Sequence, residues 1–292
     1  MNTATQLKAL IRNISKEKNV NAQVVLRNYM LERLLERISL SKYKHNFILK
    51  GGMLIAAMVG LDTRSTMDMD ATVKGIMVSK ETVKIMFDDI LAVSINDEVT
   101  IVMENIEDIR EEADYEGFRI SLNTSFDGIR QNIKIDITSG DAITPREIKY
   151  KFNLMVESRA IEVMAYNIET VIAEKLETII SRGTTNTRMR DYYDIYILTK
   201  LQDDNINLET LTKALNSTAL KRGTGVLLDS KSIIISEVKA SNVMLNLWLR
   251  YQKKNSYVED VSWDDVTGAV EIILKRVDPG LWGQWEVRER DK

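Results

Sequence analysis

The sequence predicts an α+β protein, with strands and helices interleaved over residues 1–166 and a helical bundle over residues 167–292. Three observations carry that prediction. Apolar residues recur at helical spacing between Thr3 and Ser39, alternating β-prone runs crowd the middle of the chain, and after Tyr166 the periods are mostly helical. A chain of 292 residues is long enough for one large or two ordinary domains, each with a real core. At 44% hydrophobic and 28% charged, without long Ser, Gly or Gln tracts, it reads as globular rather than disordered or fibrous.

Two helices are expected first. Leu7, Leu10, Ile11 and Ile14 line one, and Val24, Val25, Tyr29, Leu31, Leu34, Leu35 and Ile38 line the other, which Asn21 can cap. "FILKGGMLIAAMVG" (47–60) reads as a short apolar strand, a Gly-Gly turn and a buried helix. "MDMDATVKG" (67–75) reads as a strand ending at Gly75, with Met67 and Met69 packed inward, as are Met53 and Met58 in the preceding segment. Ser79, followed by Thr82 and Val83, opens a helix to about Val93. The β-rich runs "EVTIVMENI", "FRISLNTSF", "IKIDIT" and "IEVMAY" follow, separated by Gly, Asp and Asn. "IETVIAEKLETIISRG" is a helix stopped by Gly183, and "RMRDYYDIYILTKL" is the next. "NLETLTKALNST", "ASNVMLNLWLRYQKKN" and "SWDDVTGAVEIILKRVDP" continue the helical pattern, the last between Ser262 and Pro279. There is no internal repeat and no low-complexity linker.

Composition excludes some chemistry. The chain has no Cys, so disulfides and thiolate metal sites are out, and the single His45 excludes a site built from several imidazoles; His45 itself reads as a loop or packing residue. The N-terminal "MNTATQLKALIRNISKEKN" lacks an apolar signal core and no stretch is long enough to cross a bilayer, so a cytoplasmic location without a membrane partner is expected. A net charge of -3 argues against a protein dominated by phosphate contacts but leaves room for a local basic groove. Trp248, the lysines of "LNLWLRYQKKN", Lys221 and Arg222 would either line an RNA-binding face or surround a core tryptophan with solvated charge.

The most informative stretch is "TRSTMDMDATV" (63–73). Side chains two apart in a strand share a face, with Cα atoms roughly 6.5–7 Å apart, so Asp68 and Asp70 can lean on one hard cation. Mg²⁺ suits them, because it takes oxygen ligands and commonly pairs one or two carboxylates with phosphate oxygens and water. Asp on an outward strand face needs no special cause, however, and the pair alone also fits a solvated edge. Two further features favour a site. Asp136 lies among Ile133, Ile135 and Ile137 in a second strand, where a third carboxylate would allow two metals about 3.5–4 Å apart. Gly51 and Gly52 end a strand just before a helix, where bare backbone N–H groups can approach a triphosphate.

Gly-Gly, a helix, D-x-D and a later strand Asp resemble the layout of the DNA polymerase β-like nucleotidyltransferase superfamily. More narrowly, "FILKGGMLIAAMVGLDTRSTMDMDATVKG", "IKIDITSGDAITP", "VIAEKLETIISRG" and "RMRDYYDIYIL" resemble, in order, four motif regions of the AbiEii/AbiGii family, over residues 47–198. The resemblance implies a nucleotidyltransferase-like mixed sheet flanked by helices in residues 1–166, and a bacterial toxin of an abortive-infection, phage-defence toxin–antitoxin system. It implies Mg²⁺ held on Asp68, Asp70 and Asp136, an NTP substrate, Lys175 at the family's lysine and Asp191 at its last-motif acid, with Asp194 as a structural neighbour. It further implies tRNA as acceptor and a cognate antitoxin that acts without a stable complex. From the residues alone, Lys175 could equally snorkel to solvent and Asp191 could pair with Arg188 one turn earlier.

This chain departs from the superfamily in having Gly52 where many members carry Ser. Ser65 or Thr66 could supply the missing hydroxyl, and Arg64 could either steer phosphate or pair with an acid. The expected reaction is therefore transfer of a nucleoside monophosphate from an NTP to an acceptor hydroxyl. The alternatives are nucleotidylation or phosphorylation of a protein, and a nucleotide-binding regulator without turnover.

Overall fold

In the computed structural model, which describes residues 3–110 and 116–277, the chain divides into two compact units. The first comprises Met1–Asp141 and Glu147–Tyr166, the second Ala142–Arg146 and Asn167–Lys292. Residues 142–146, which precede the sequence boundary at 166, thus cluster with the second unit.

In the first unit, α1 (Ala4–Glu17) and α2 (Ala22–Leu40) precede β1 (Phe47–Lys50) and α3 (Gly51–Val59). Then come β2 (Met69–Val73), α4 (Lys80–Leu91), β3 (Thr100–Arg110), β4 (Glu116–Phe126), β5 (Ile129–Ser139), β6 (Ile148–Asn153) and β7 (Ala160–Ala165). The strands form one mixed sheet in the order β3-β4-β5-β2-β1-β7-β6, with β2 parallel to β5 and β1 parallel to β7. Central β1 is buried at Phe47, Ile48 and Leu49 alike, which is why it reads as a continuous apolar run. β5 alternates instead, burying Ile133, Ile135 and Ile137.

Local chemistry sets the helix starts. The Asn21 side chain accepts from the Gln23 N–H at 2.8 Å, and Ser79 and Thr82 close a capping box at α4. Two expectations fail near β2. Gly51 and Gly52 form the first turn of α3 rather than a separate turn. Met67 is 43% exposed rather than packed inward, because regular pleating starts only at Met69; Met53 and Met69 are buried and Met58 is half-buried.

The second unit carries α5 (Ile168–Arg182), α6 (Met189–Gln202), α7 (Leu208–Lys221), α8 (Lys231–Ala240), α9 (Asn242–Gln252) and α10 (Trp263–Arg276). Asn167, Asn207 and Ser262 cap α5, α7 and α10. The second Trp alternative holds: Trp248 is 0% exposed, packs against Tyr251 and Trp263, and donates its indole N–H to the Val261 carbonyl at 3.1 Å. It offers no face for base stacking. Arg222 pairs with Glu177 and Glu174. The stop expected at Pro279 lies outside the described residues. Among the described residues the architecture is mixed α/β, with a seven-stranded sheet and ten α-helices, and no helix is long and apolar enough to cross a membrane.

Candidate active site

Strand register sets four charged residues of the first unit in one row. Lys50 on β1 opposes Asp70 on β2, Asp70 opposes Asp136 on β5, and Asp136 opposes Arg119 on β4. Directly opposed residues share a sheet face, so the two acids are neighbours flanked by cations. Asp68 lies two residues before Asp70, just outside β2. The structure therefore brings Asp68, Asp70 and Asp136 together although Asp70 and Asp136 are 66 positions apart in the chain.

The glycines fit closely around Asp70. Gly51 has φ +67°, and a Cβ there would lie 2.1 Å from Asp70 Oδ2, so both backbone and space demand glycine. The Gly52 N–H points at the same oxygen across a long 3.4 Å, which sets the carboxylate at the positive end of α3. A Cβ on Gly52 would meet Thr66 Oγ1 at 2.7 Å. Thr66, not Ser65, thus places its hydroxyl beside the second glycine, in the space a serine there would need. Thr66 is buried and its Oγ1 also reaches the Asp68 carbonyl at 3.2 Å, while Ser65 is half-buried.

Arg64 is 2% exposed, donates to the Ser65 carbonyl and lies under Gly52. A guanidinium so buried is held against the α3 entry. Lys50 turns to Asp141 at 2.6 Å and Thr138 at 2.9 Å. Burial works to raise the Asp141 pKa, but the Lys50 charge and the Lys50 and Thr138 hydrogen bonds outweigh it and hold the carboxyl below its ordinary range. The Tyr166 hydroxyl completes that cluster with a 3.0 Å bond to Asp141.

Asp136 has both oxygens occupied by one guanidinium: Arg119 donates from Nε at 2.8 Å and from Nη2 at 2.6 Å. Asp68 has its pKa raised, first by burial and then by the negative charges of Asp70 and Asp136, with Arg27 and Arg119 opposing. Among the described residues no group of three or more His, Cys, Asp or Glu side chains is placed to hold a metal ion. The donor chemistry nevertheless fits Mg²⁺. Asp68 and Asp70 are half-buried carboxylates, and a divalent cation would offset the negative charges of Asp70 and Asp136 that bear on Asp68.

Lys175 and Asp191 belong to the second unit. Lys175 Nζ sits 2.8 Å from Asp191 and 2.7 Å from Asp194, on α5 and α6. The i,i+3 spacing turns both acids to one face, and Lys175 takes the place foreseen for Arg188. The lysine does not snorkel. Burial disfavours its charge, but Asp191 and Asp194 outweigh burial and raise its pKa. His45 is exposed.

Sequence reasoning missed Arg119, Arg27 and the Lys50–Asp141 cluster. Arg119 left a faint trace as a polar position in the alternation of "FRISL"; its pairing with Asp136 depends on register across a hairpin.

A model of the family described as nucleotidyl transferase AbiEii toxin, type IV TA system, matches residues 33–267. No curated protein matches. Two solved structures share the fold. One, a nucleotidyltransferase candidate from H. pylori, has TM-score 0.50 and 16% identity, covering 90% of this chain and 97% of its own. The other, JHP933 from Helicobacter pylori, also has TM-score 0.50 and 16% identity, with coverage of 92% and 98%.

Proposed function

The chain belongs to the AbiEii nucleotidyl transferase toxin family of type IV toxin–antitoxin systems, and on that footing we propose that it transfers a nucleoside monophosphate from an NTP to an acceptor hydroxyl. The observation that carries the proposal is the register of Asp70 with Asp136 beside Asp68, packed against a Gly51-Gly52 helix start. Asp68 and Asp70 would hold Mg²⁺, with Asp136 joining them once Arg119 lets go. The bound metal supplies charge neutralisation at the phosphates of the substrate and leaving pyrophosphate.

The remaining work falls to the chain. Gly51 and Gly52 keep space and bare N–H groups at the α3 start, and the Thr66 hydroxyl stands beside them. Arg64 and Ser65, which precede Thr66 in the same loop, are proposed with it as nucleotide-binding residues. Rigid placement of two reactants suffices for large accelerations, since phosphoryl chemistry depends mainly on positioning and electrostatics. Lys175 and Asp191 are proposed as family-motif residues of the second unit. Family resemblance supports tRNA as the acceptor, phage defence through arrested translation as the consequence, and an antitoxin that neutralises without a stable complex.

The test is incubation with each α-labelled NTP, Mg²⁺, total RNA and total protein. Label on RNA of tRNA size is expected, and Asp68→Ala and Asp70→Asn should abolish it along with growth arrest on expression. Label on protein alone overturns the RNA acceptor, and transfer from γ-labelled NTP instead indicates phosphorylation. Growth arrest undiminished in Asp68→Ala would sink the catalytic reading.

A further inference from the structure

Arg27 stands beside the acid loop with its hydrogen-bonding capacity largely unused. It lies on α2, upstream of the segment matched by the family model. Its Nη1 approaches only the Met67 sulfur, at 3.6 Å, and its Nε is buried without a partner. A thioether is a weak acceptor, and among the described residues Arg27 makes no ion pair. The neighbouring arginines differ: Arg119 is paired with Asp136 and Arg64 is buried beneath Gly52.

The position of Arg27 is fixed from two sides. Asn28 donates to the Thr66 carbonyl at 2.8 Å, and Gln23, one turn before Arg27, donates to Gln131 on β5 at 2.7 Å. These bonds fasten α2 to the loop that carries Asp68 and to the strand that carries Asp136. Leaving a guanidinium N–H unsatisfied in a buried position is unfavourable, and a fork of N–H donors matches a phosphate.

Resting on the nucleotidyltransferase reading, we propose that Arg27 is a phosphate-binding residue of this site, taking an anionic oxygen of the substrate beside Asp68 and Asp70. The phosphate could belong to the triphosphate of the NTP or to the acceptor strand, and two arms of one experiment tell them apart. The full chain and its Arg27→Ala and Arg27→Lys variants are titrated with inorganic tripolyphosphate and with NTP in the presence of Mg²⁺, without acceptor. KM for the acceptor RNA is then measured at saturating NTP.

For a triphosphate contact, Arg27→Ala weakens tripolyphosphate and NTP binding about tenfold and Arg27→Lys recovers part of the loss, since a charged hydrogen bond of this kind is worth roughly one decade. For an acceptor contact, those affinities hold and acceptor KM rises by a similar factor. Unchanged values in both arms, with Tm unaltered, overturn the assignment; so does a wild-type chain that binds neither polyphosphate nor RNA. A chain that loses tripolyphosphate binding on Arg27→Ala yet transfers no nucleotide overturns the reaction instead and leaves Arg27 assigned.

Discussion

At Asp136 a single guanidinium competes with any cation for both carboxylate oxygens. Arg119 and Asp136 are each partly exposed, so their pair is a modest obstacle, worth about 1 kcal/mol, rather than a buried lock. The direction follows: Arg119→Ala frees Asp136 and strengthens the negative potential at Asp68, where Arg119 now opposes the acids. Half-saturating Mg²⁺ for NTP binding should fall roughly fivefold in this variant, as read from Mg²⁺ titrations at fixed nucleotide. A half-saturating concentration equal to or above the wild type would refute competition at Asp136. The legibility of the site divides along the same line. Asp70, Gly51 and Gly52 are readable because spacing within one strand or one helical turn sets their geometry, and Asp68 is readable only as the nearest acid before that strand. Arg119 and Arg27 are not readable, because strand register and helix packing, which bring them to the acids, are long-range outcomes. The absent serine after Gly51 gains a physical reason only in three dimensions, where the Thr66 hydroxyl fills its place.

Between elements, the ion cluster of Lys175, Asp191 and Asp194 ties α5 to α6. Asp194 is fully buried and Asp191 nearly so, which makes their charges expensive once the lysine is gone. Lys175→Met should destabilise the second unit by about 3 kcal/mol or more, visible as a lower Tm, because it strands two carboxylates in the interior. Adding Asp194→Asn to that variant should recover part of the loss. A Lys175→Met chain as stable as the wild type would show that the acids find other compensation. The elements themselves were mostly legible where local signals agree. Asn21, Ser79 and Ser262 all cap as their chemistry suggests, and Gly183 takes the positive φ that ends α5. β6 escaped because "IKYKFN" buries only Phe152 well and places two lysines among its six residues. α8 escaped because its three consecutive isoleucines, Ile233 to Ile235, blur the helical period, and only Ile235 of them is buried.

At the scale of the whole molecule, pH couples to stability through a helix whose charges lie inside. α2 buries Glu32, Arg33, Glu36 and Arg37. They are answered from distant parts of the first unit: Arg37 by Asp97 at 2.9 Å, Arg33 by Glu157 at 2.7 Å, and Glu36 by Arg159 at 2.6 Å. Glu32 has less. The Met155 N–H donates to both its oxygens at 3.1 Å, and burial, outweighing that bond and the Arg33 charge, pushes its pKa up to about 8. Between its ordinary value near 4.5 and about 8 the folded chain keeps the Glu32 proton that the unfolded chain releases. Stability from this group is therefore full below the ordinary value and is lost as pH rises through the folded one, by up to about 1 kcal/mol per pH unit. Glu32→Gln carries no titrating proton and an acceptor oxygen of the same reach, so that slope should vanish. The Tm of Glu32→Gln relative to wild type is expected to climb steadily from pH 5 to pH 8 in thermal melts. Were the gap constant across that range, the carboxyl would be ionised throughout in the folded chain, and the charge balance of α2 would have to come from a tighter pairing of Glu32 with Arg33.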